Sequence, residues 1–201
     1  MLDGWARERI DPVLNAMGER LAAAGVSANA VTLAAFAVGV AAAIAISIGW
    51  FWPGLALIAF SRLGDGLDGV VARKRGKTDF GGFLDLVLDF GFYAAIPLGF
   101  AIADPTANAL AAAVLVAAFY VNGATFLGYA ALAAKRGLDG AARGEKSVYF
   151  TTGLAEATET FAVFAAFCLF PGWFTPIAWI FAAACLWTAF WRIVEARRVF
   201  V

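Results

Sequence analysis

The sequence predicts an all-α membrane protein in which six transmembrane helices follow an N-terminal amphipathic helix. Three observations support this prediction. Of the 201 residues, 63% are hydrophobic, and the mean hydropathy is +0.80. The apolar residues form stretches long enough to cross a bilayer, which takes about 20 residues each. Lys and Arg are concentrated in every second connection between these stretches. A soluble domain of this size needs far more polar surface.

Residues 5–24 form the first predicted element, an amphipathic helix. Its apolar side chains recur at helical spacing with charged residues between them. They are Trp5, Ile10, Val13, Leu14, Met17 and Leu21. Two placements are open: the helix lies on the membrane surface, or it packs on the bundle as an ordinary surface helix. The opening segment MLDGWARERIDP lacks the apolar core of a signal peptide.

Six apolar stretches follow, separated by short connections with turn residues. The predicted spans are residues 29–49, 51–73, 80–103, 107–134, 147–170 and 174–196. Cys168 and Cys185 lie inside apolar stretches and are interpreted as small core residues, not as a disulfide or a metal site. We expect one domain, in which residues 1–26 form the juxtamembrane helix and residues 27–201 the bundle.

The positions of the basic residues predict the orientation. Lys and Arg occur in the N-terminal segment, in the second-to-third and fourth-to-fifth connections and at the C-terminal end, but in none of the other three connections. This one-sided distribution follows the positive-inside rule, so both termini are expected in the cytoplasm. Trp50, Trp52 and Trp173 fall at the opposite interface, where an aromatic belt is expected.

Four aspartates lie within the second and third spans or at their cytoplasmic ends: Asp65, Asp68, Asp85 and Asp89. An ionised carboxylate at the bilayer centre costs roughly 2.5–3.5 kcal/mol on insertion scales, so such residues need compensation or a wet cavity. The members of each pair are three or four residues apart and share a helix face. A short basic loop joins the two helices, so all four side chains are expected to converge.

Divalent cations are the expected compensation for these acids. Four like charges repel strongly in a low dielectric, and two divalent ions would cancel them. Carboxylates without His or Cys favour a hard ion such as Mg²⁺, Mn²⁺ or Ca²⁺. Two alternatives are open: ion pairs with Arg62, Arg73, Lys74 or Lys77, and a cation pathway. Glycines beside the acids, together with Ala72 and Arg73, favour a site for a pyrophosphate.

The segment from Asp65 to Asp89 reads DGLDGVVARKRGKTDFGGFLDLVLD. It resembles the signature D-x2-D-G-x2-A-R-x8-G-x3-D-x3-D of the CDP-alcohol phosphotransferase family. Every fixed residue type is present: Asp65, Asp68, Gly69, Ala72, Arg73, Gly81, Asp85 and Asp89. Seven residues, one fewer than in the signature, separate Arg73 from Gly81, which we interpret as a one-residue deletion in the cytoplasmic loop. Each aspartate pair keeps its helical phase, so the metal site is expected to survive.

The resemblance implies roles for these residues. The four aspartates would hold two divalent ions, Mg²⁺ or Mn²⁺, and Asp89 would also be the general base. The residues implied to bind the CDP-lipid are Gly69, Ala72, Arg73, Thr78, Gly81, Asn29 and Thr32. The implied reaction is attack of an acceptor hydroxyl on the lipid-linked phosphate of CDP-diacylglycerol, with release of CMP. A homodimer in a bacterial inner membrane, with the site facing the cytoplasm, is implied as well, and no nucleic-acid partner is expected.

The acceptor alcohol is open. Its candidate contacts are Arg62, Asn122, Arg143, Lys146, Glu156 and Glu159. The two glutamates suit a cationic or polyhydroxyl acceptor, whereas the basic residues suit a phosphorylated one such as glycerol-3-phosphate or inositol phosphate. Glycerol-3-phosphate is the default because its reaction is widespread in enzymes of this kind. The rival functions are an intramembrane cation transporter and a structural scaffold whose acids are held in ion pairs.

Overall fold

The computed structural model describes residues 2–137 and 157–201, with side chains from residues 12–137 and 158–201. Within these ranges the chain is helical and contains no strand. The helices are α1 (Leu2–Ala23), α2 (Ala28–Ser47), α3 (Phe51–Arg75), α4 (Asp79–Ala103), α5 (Pro105–Lys135), α6 (Ala157–Leu169) and α7 (Phe174–Phe200). A single 3₁₀ turn, Pro171–Trp173, joins the last two helices.

Four of these helices are long and apolar enough to cross a membrane: α2, α4, α5 and α7 with the turn before it. The predicted spans agree with them within four residues at each end. Helix α3 has 25 residues, but it is not among the four because it carries several charged residues, including Asp65 and Asp68. Helix α6 has 13 residues, and the first part of the predicted span 147–170 lies outside the described residues. The all-helical prediction is therefore confirmed for the described chain.

Local sequence signals fix the helix ends near the site. Ser27 caps α2 by accepting a hydrogen bond from the Ala30 amide at 3.2 Å, and Thr78 caps α4 by accepting one from the Gly81 amide at 3.0 Å. Gly76 ends α3 with φ of 105°, a conformation that a side chain would strain. The α3–α4 connection is thus only three residues long, and both acid-bearing helices pack against α2.

Helix α2 packs against both α3 and α4, and α5 packs against both α4 and α7. Phenylalanines fill the core between these groups. The Phe100 and Phe174 rings are stacked with their centroids 4.8 Å apart, and the Phe167 ring lies 4.6 Å from that of Phe174. All three side chains are fully buried. This apolar core joins the helix halves that lie away from the α3–α4 connection. The polar residues of the site lie in the opposite halves.

Helix α1 packs against α3, on the helix that carries Asp65 and Asp68. A Cβ on Gly18 would lie 2.5 Å from Cγ1 of Val70, so glycine permits this close approach. Val13 and Met17 remain exposed on the outer side of the helix. Of the two placements left open by the sequence, the structure supports packing on the bundle, and it leaves an apolar edge facing outward.

Candidate active site

Helices α3 and α4 bring three of the four aspartates together. Asp65, Asp68 and Asp85 each have one carboxylate oxygen within 4.8 Å of those of the other two. We call these three residues the acid cluster. Asp68 is buried, and the other two are half-buried. Three oxygen donors at this spacing, without His or Cys, fit a hard divalent cation.

Asp89 is held differently from the acid cluster. Its Oδ1 accepts a hydrogen bond of 2.8 Å from Nη1 of Arg62, and the same nitrogen lies 3.6 Å from Asp65. Two of the predicted ion pairs are therefore present, a close one to Asp89 and a longer one to Asp65. Lys74 instead pairs with Glu19 of α1 at 2.7 Å, and Arg73 lines an open cleft. The ion-pair alternative thus accounts for Asp89 but leaves the acid cluster without a full set of countercharges among the described residues.

Helix α2 contributes a residue that orients the acid cluster. The hydroxyl of Thr32 donates a hydrogen bond of 2.6 Å to Oδ2 of Asp68, and lies 3.0 Å from the Ala28 carbonyl. Both Thr32 and Asp68 are buried. A short hydrogen bond to a carboxylate fixes its direction. The sequence predicts Thr32 as a substrate contact, and in the structure it is also the hydrogen-bond partner of Asp68, a member of the acid cluster.

A cleft of about 490 Å³ opens beside the acid cluster, between the ends of α2, α3 and α4. All seven residues that the resemblance implied for CDP-lipid binding line it: Asn29, Thr32, Gly69, Ala72, Arg73, Thr78 and Gly81. Asp68 and Asp85 form its floor. Arg75 and Lys77, which the sequence analysis did not assign to substrate binding, line it too. The cleft therefore joins carboxylates, small residues and basic side chains in one space, and we call it the basic cleft.

The glycines of the basic cleft keep it open where helix ends meet. A Cβ on Gly81 would lie 2.9 Å from Thr78 Oγ1 and 3.0 Å from Asn29 Oδ1. Across the cleft, Nη1 of Arg75 donates to the Val26 carbonyl at 3.0 Å and ties the end of α3 to the start of α2. The shorter α3–α4 loop is compatible with this arrangement, because Thr78 still caps α4 and faces the cleft.

A second cavity, of about 330 Å³, lies among α4, α5, α6 and α7. Its polar lining residues are Asp89, Tyr93, Asn122, Thr160 and Arg192. Nη1 of Arg192 donates to Oδ1 of Asn122 at 3.0 Å, which fixes the guanidinium at the cavity wall. We call this space the polar cavity. Asp89 borders it and also borders the narrow gap that contains Asp65 and Asp85, so it stands between the two compartments.

Of the acceptor-site candidates that the structure describes, only one lines the polar cavity. Asn122 lines the polar cavity. Arg62 instead pairs with Asp65 and Asp89. Glu159 precedes Thr160 on α6 but does not line the cavity. The Oε2 atom of Glu159 is buried and has no hydrogen-bond partner among the described residues. Arg143, Lys146 and Glu156 lie outside the described residues. Sequence reasoning missed Tyr93 and Arg192. For Arg192 a signal existed, since it falls inside the last predicted span.

Residues 25–191 match the sequence pattern of CDP-alcohol phosphatidyltransferases. The chain belongs to the CDP-alcohol phosphatidyltransferase family. It is 47% identical over 193 residues to the inner membrane protein YnjF of Escherichia coli K12, covering 96% of this chain and 94% of YnjF. It is also 35% identical over 126 residues to the phosphatidylinositol phosphate synthase of Cutibacterium acnes, covering 61% and 58% of the two chains.

The fold of this transferase is that of a solved family structure. The phosphatidylinositol phosphate synthase of Mycobacterium tuberculosis with CDP-DAG bound superposes with a TM-score of 0.72 at 21% identity, covering 90% of this chain and 92% of that one. Its complex with manganese and citrate gives a TM-score of 0.71 at 23% identity, covering 90% and 87%. At these identities the likeness concerns the fold.

Two predictions are confirmed by these findings. The chain is an integral membrane transferase of phospholipid synthesis, as the motif indicated. A divalent metal ion is the cofactor class of this family, and the acid cluster offers it three oxygen ligands.

Proposed function

We propose that this phosphatidyltransferase moves the phosphatidyl group of CDP-diacylglycerol to a phosphorylated polyol and releases CMP. The single observation behind the proposal is the placement of Asp89, which borders both the acid cluster and the polar cavity. A group there is within reach of a donor phosphate on one side and an acceptor hydroxyl on the other.

The basic cleft suits the nucleotide diphosphate of the donor. Arg73, Arg75 and Lys77 supply positive charge around it, and the half-buried Gly69 admits a close approach. Asp65, Asp68 and Asp85 would hold the divalent ions at the floor, with Asp89 completing a two-ion site. When bound, such ions neutralise the charge that builds on the diphosphate as CMP leaves. The lipid tails would remain in the bilayer beside the helices.

The polar cavity suits an acceptor that carries a phosphate. Arg192 is fixed by Asn122 and presents the fork of donors that phosphate oxygens accept. Tyr93 and Thr160 offer hydroxyls for a polyol. One relative, the Cutibacterium acnes enzyme, is named for a phosphorylated inositol product, which agrees with such an acceptor. Inositol phosphate and glycerol-3-phosphate share this chemistry, and the size of the cavity admits both.

The proposed chemistry is a single displacement. Asp89 accepts the proton of the acceptor hydroxyl, and the hydroxyl oxygen forms a bond to the lipid-linked phosphorus of CDP-diacylglycerol. The bond from that phosphorus to the bridging oxygen breaks, and CMP leaves with the electron pair. Thr32 keeps the carboxylate of Asp68 in place, and Arg192 aligns the acceptor by its phosphate.

The test is an acceptor panel with purified protein, CDP-diacylglycerol and Mg²⁺, read as CMP release and as lipid product by mass. The panel pairs inositol phosphate with inositol and glycerol-3-phosphate with glycerol. Turnover is expected with at least one phosphorylated member and to be far slower with its partner. Asp68→Asn is expected to remove activity, whereas the control Asp79→Asn, an exposed residue outside the cluster, should retain it. Folded protein that releases no CMP with any acceptor would overturn the proposal.

We further propose six spans in one domain, a homodimer, and a site facing the cytoplasm of a bacterial cell. Helices α3 and α6 would be the two spans beyond the four apolar ones, and the basic residues at the end of α3 support a cytoplasmic site. Reporter fusions at the N- and C-termini test the topology, with both expected inside. Mass measurement of the detergent-solubilised protein tests the dimer, which rests on the family resemblance alone.

A further inference from the structure

We propose that Arg62 is a positioning residue that holds Asp89 when metal is absent and releases it when divalent cations bind. The inference rests on the divalent-ion site of the proposed function. It explains why three aspartates gather at one place while the fourth, Asp89, is turned to a guanidinium.

Arg62 is fixed on several sides. Its Nη1 contacts Asp89 at 2.8 Å and Asp65 at 3.6 Å, and its Nη2 lies 3.4 Å from Oγ of Ser61. The guanidinium carbon lies 3.9 Å from the centroid of the buried Phe92 ring. Ser61 in turn donates to the Ala35 carbonyl at 2.8 Å. The side chain therefore bridges both acid-bearing helices from a rigid platform.

The same contacts leave Arg62 able to give up Asp89. The stack on Phe92 and the contact with Asp65 do not depend on Asp89. The cation can therefore stay in place while the carboxylate turns toward the acid cluster.

Electrostatics favours the exchange. Oδ1 of Asp89 accepts a short hydrogen bond from the guanidinium, so this oxygen binds an incoming cation or a proton less strongly than it would without Arg62. The four carboxylates bring four negative charges, and Arg62 compensates one of them. A divalent ion arriving at Asp65, Asp68 and Asp85 meets the repulsion of this nearby positive charge. Arg62 thus compensates part of the negative charge of the carboxylates and weakens their hold on cations.

A double-mutant cycle tests the inference without using activity. The melting temperatures of the wild type, Arg62→Met, Asp89→Asn and the double variant are measured in EDTA and in saturating Mn²⁺. In EDTA the coupling between the two positions should be about 4 °C or more. In Mn²⁺ it should fall to within about 1 °C of zero, because the pair is open. Equal coupling in the two conditions would overturn the inference.

The Mn²⁺ binding isotherm supplies a second readout. Binding followed by electron paramagnetic resonance should show that Arg62→Met lowers the half-saturating Mn²⁺ concentration by about tenfold or more, since a competing cation is removed. Arg62→Lys, which keeps the charge, should stay near the wild type, and Arg62→Gln replaces the methionine variant if that variant fails to fold. An unchanged or weaker isotherm in Arg62→Met, or in Arg62→Gln in its place, would contradict the inference.

A matched control separates this role from ordinary stabilisation. Arg136 donates to the Phe200 carbonyl at 2.6 Å, far from the acids in sequence and contact, so Arg136→Met should lower the melting temperature equally in EDTA and Mn²⁺. Absence of any Mn²⁺ binding to the wild type would overturn both the inference and the proposed function. Normal Mn²⁺ binding with an unaltered Arg62–Asp89 coupling would overturn the inference alone.

Discussion

Replacing Thr32 by valine should lower the affinity of the enzyme for its divalent metal ion while leaving the shape of the site intact. Thr32 and Asp68 are both buried, and the hydroxyl donates to the carboxylate at 2.6 Å. Valine matches threonine closely in volume but cannot donate. Asp68 would then lose the hydrogen bond that fixes its direction, with no cavity to confuse the result.

The expected size of the effect follows from the kind of bond lost. A hydrogen bond to a charged group contributes about 1.5–3 kcal/mol. If this energy serves to orient Asp68 toward the ion, its loss raises the half-saturating Mg²⁺ concentration by about tenfold to 150-fold. Loss of a comparable partner of a metal ligand commonly costs about 10–100-fold in metal affinity, which is the same range.

The assay is CMP release from CDP-diacylglycerol as a function of Mg²⁺ concentration, with Thr32→Ser as the matched control. Serine keeps the hydroxyl and should stay close to the wild type. The reasoning would be refuted if Thr32→Val left the Mg²⁺ dependence unchanged. It would equally be refuted if only the KM for CDP-diacylglycerol rose, because Thr32 would then act as a substrate contact and not through Asp68.

Three further predictions address the other parts of the site. Asp89→Asn should abolish turnover while CDP-lipid binding, measured by thermal shift, largely survives; retained turnover would remove its role as base. Arg192→Gln should raise the KM for the phosphorylated acceptor by about 10-fold or more and leave the KM for CDP-diacylglycerol unchanged; equal changes in both would contradict the assignment of the polar cavity. Gly123→Ala should cost about 1–3 kcal/mol of stability, because a Cβ there would lie 2.2 Å from the Phe90 ring, whereas a Cβ at Gly128 on the same helix meets nothing within 4 Å. Equal melting temperatures for the two alanine variants would refute this packing argument.

The basic cleft could be predicted from the sequence because its parts are local. The aspartate pairs are spaced by one helical turn, and the three-residue connection between α3 and α4 brings them together. Gly69, Ala72 and Arg73 follow Asp68 on the same helix, so their place beside it is set by helix geometry alone. The N-cap residue Thr78 is equally a local signal.

The polar cavity could not be predicted in the same way, because its contacts join distant parts of the chain. The hydrogen bond from Arg192 to Asn122 spans 70 residues. Nothing in the pattern of α7 shows which side faces α5, since apolar residues surround the whole helix of a membrane bundle. Arg62 illustrates the same limit: its position one turn before Asp65 is visible in the sequence, but its bond to Asp89 of α4 depends on how the two helices are rotated.

The most direct test of the account is the anomalous scattering of Mn²⁺ in crystals grown with this ion and CDP. The account predicts an anomalous peak within coordination distance of Asp65, Asp68 and Asp85, with the diphosphate of the nucleotide beside it in the basic cleft. A peak elsewhere, or a fully ordered acid cluster without any peak at saturating Mn²⁺, would contradict it.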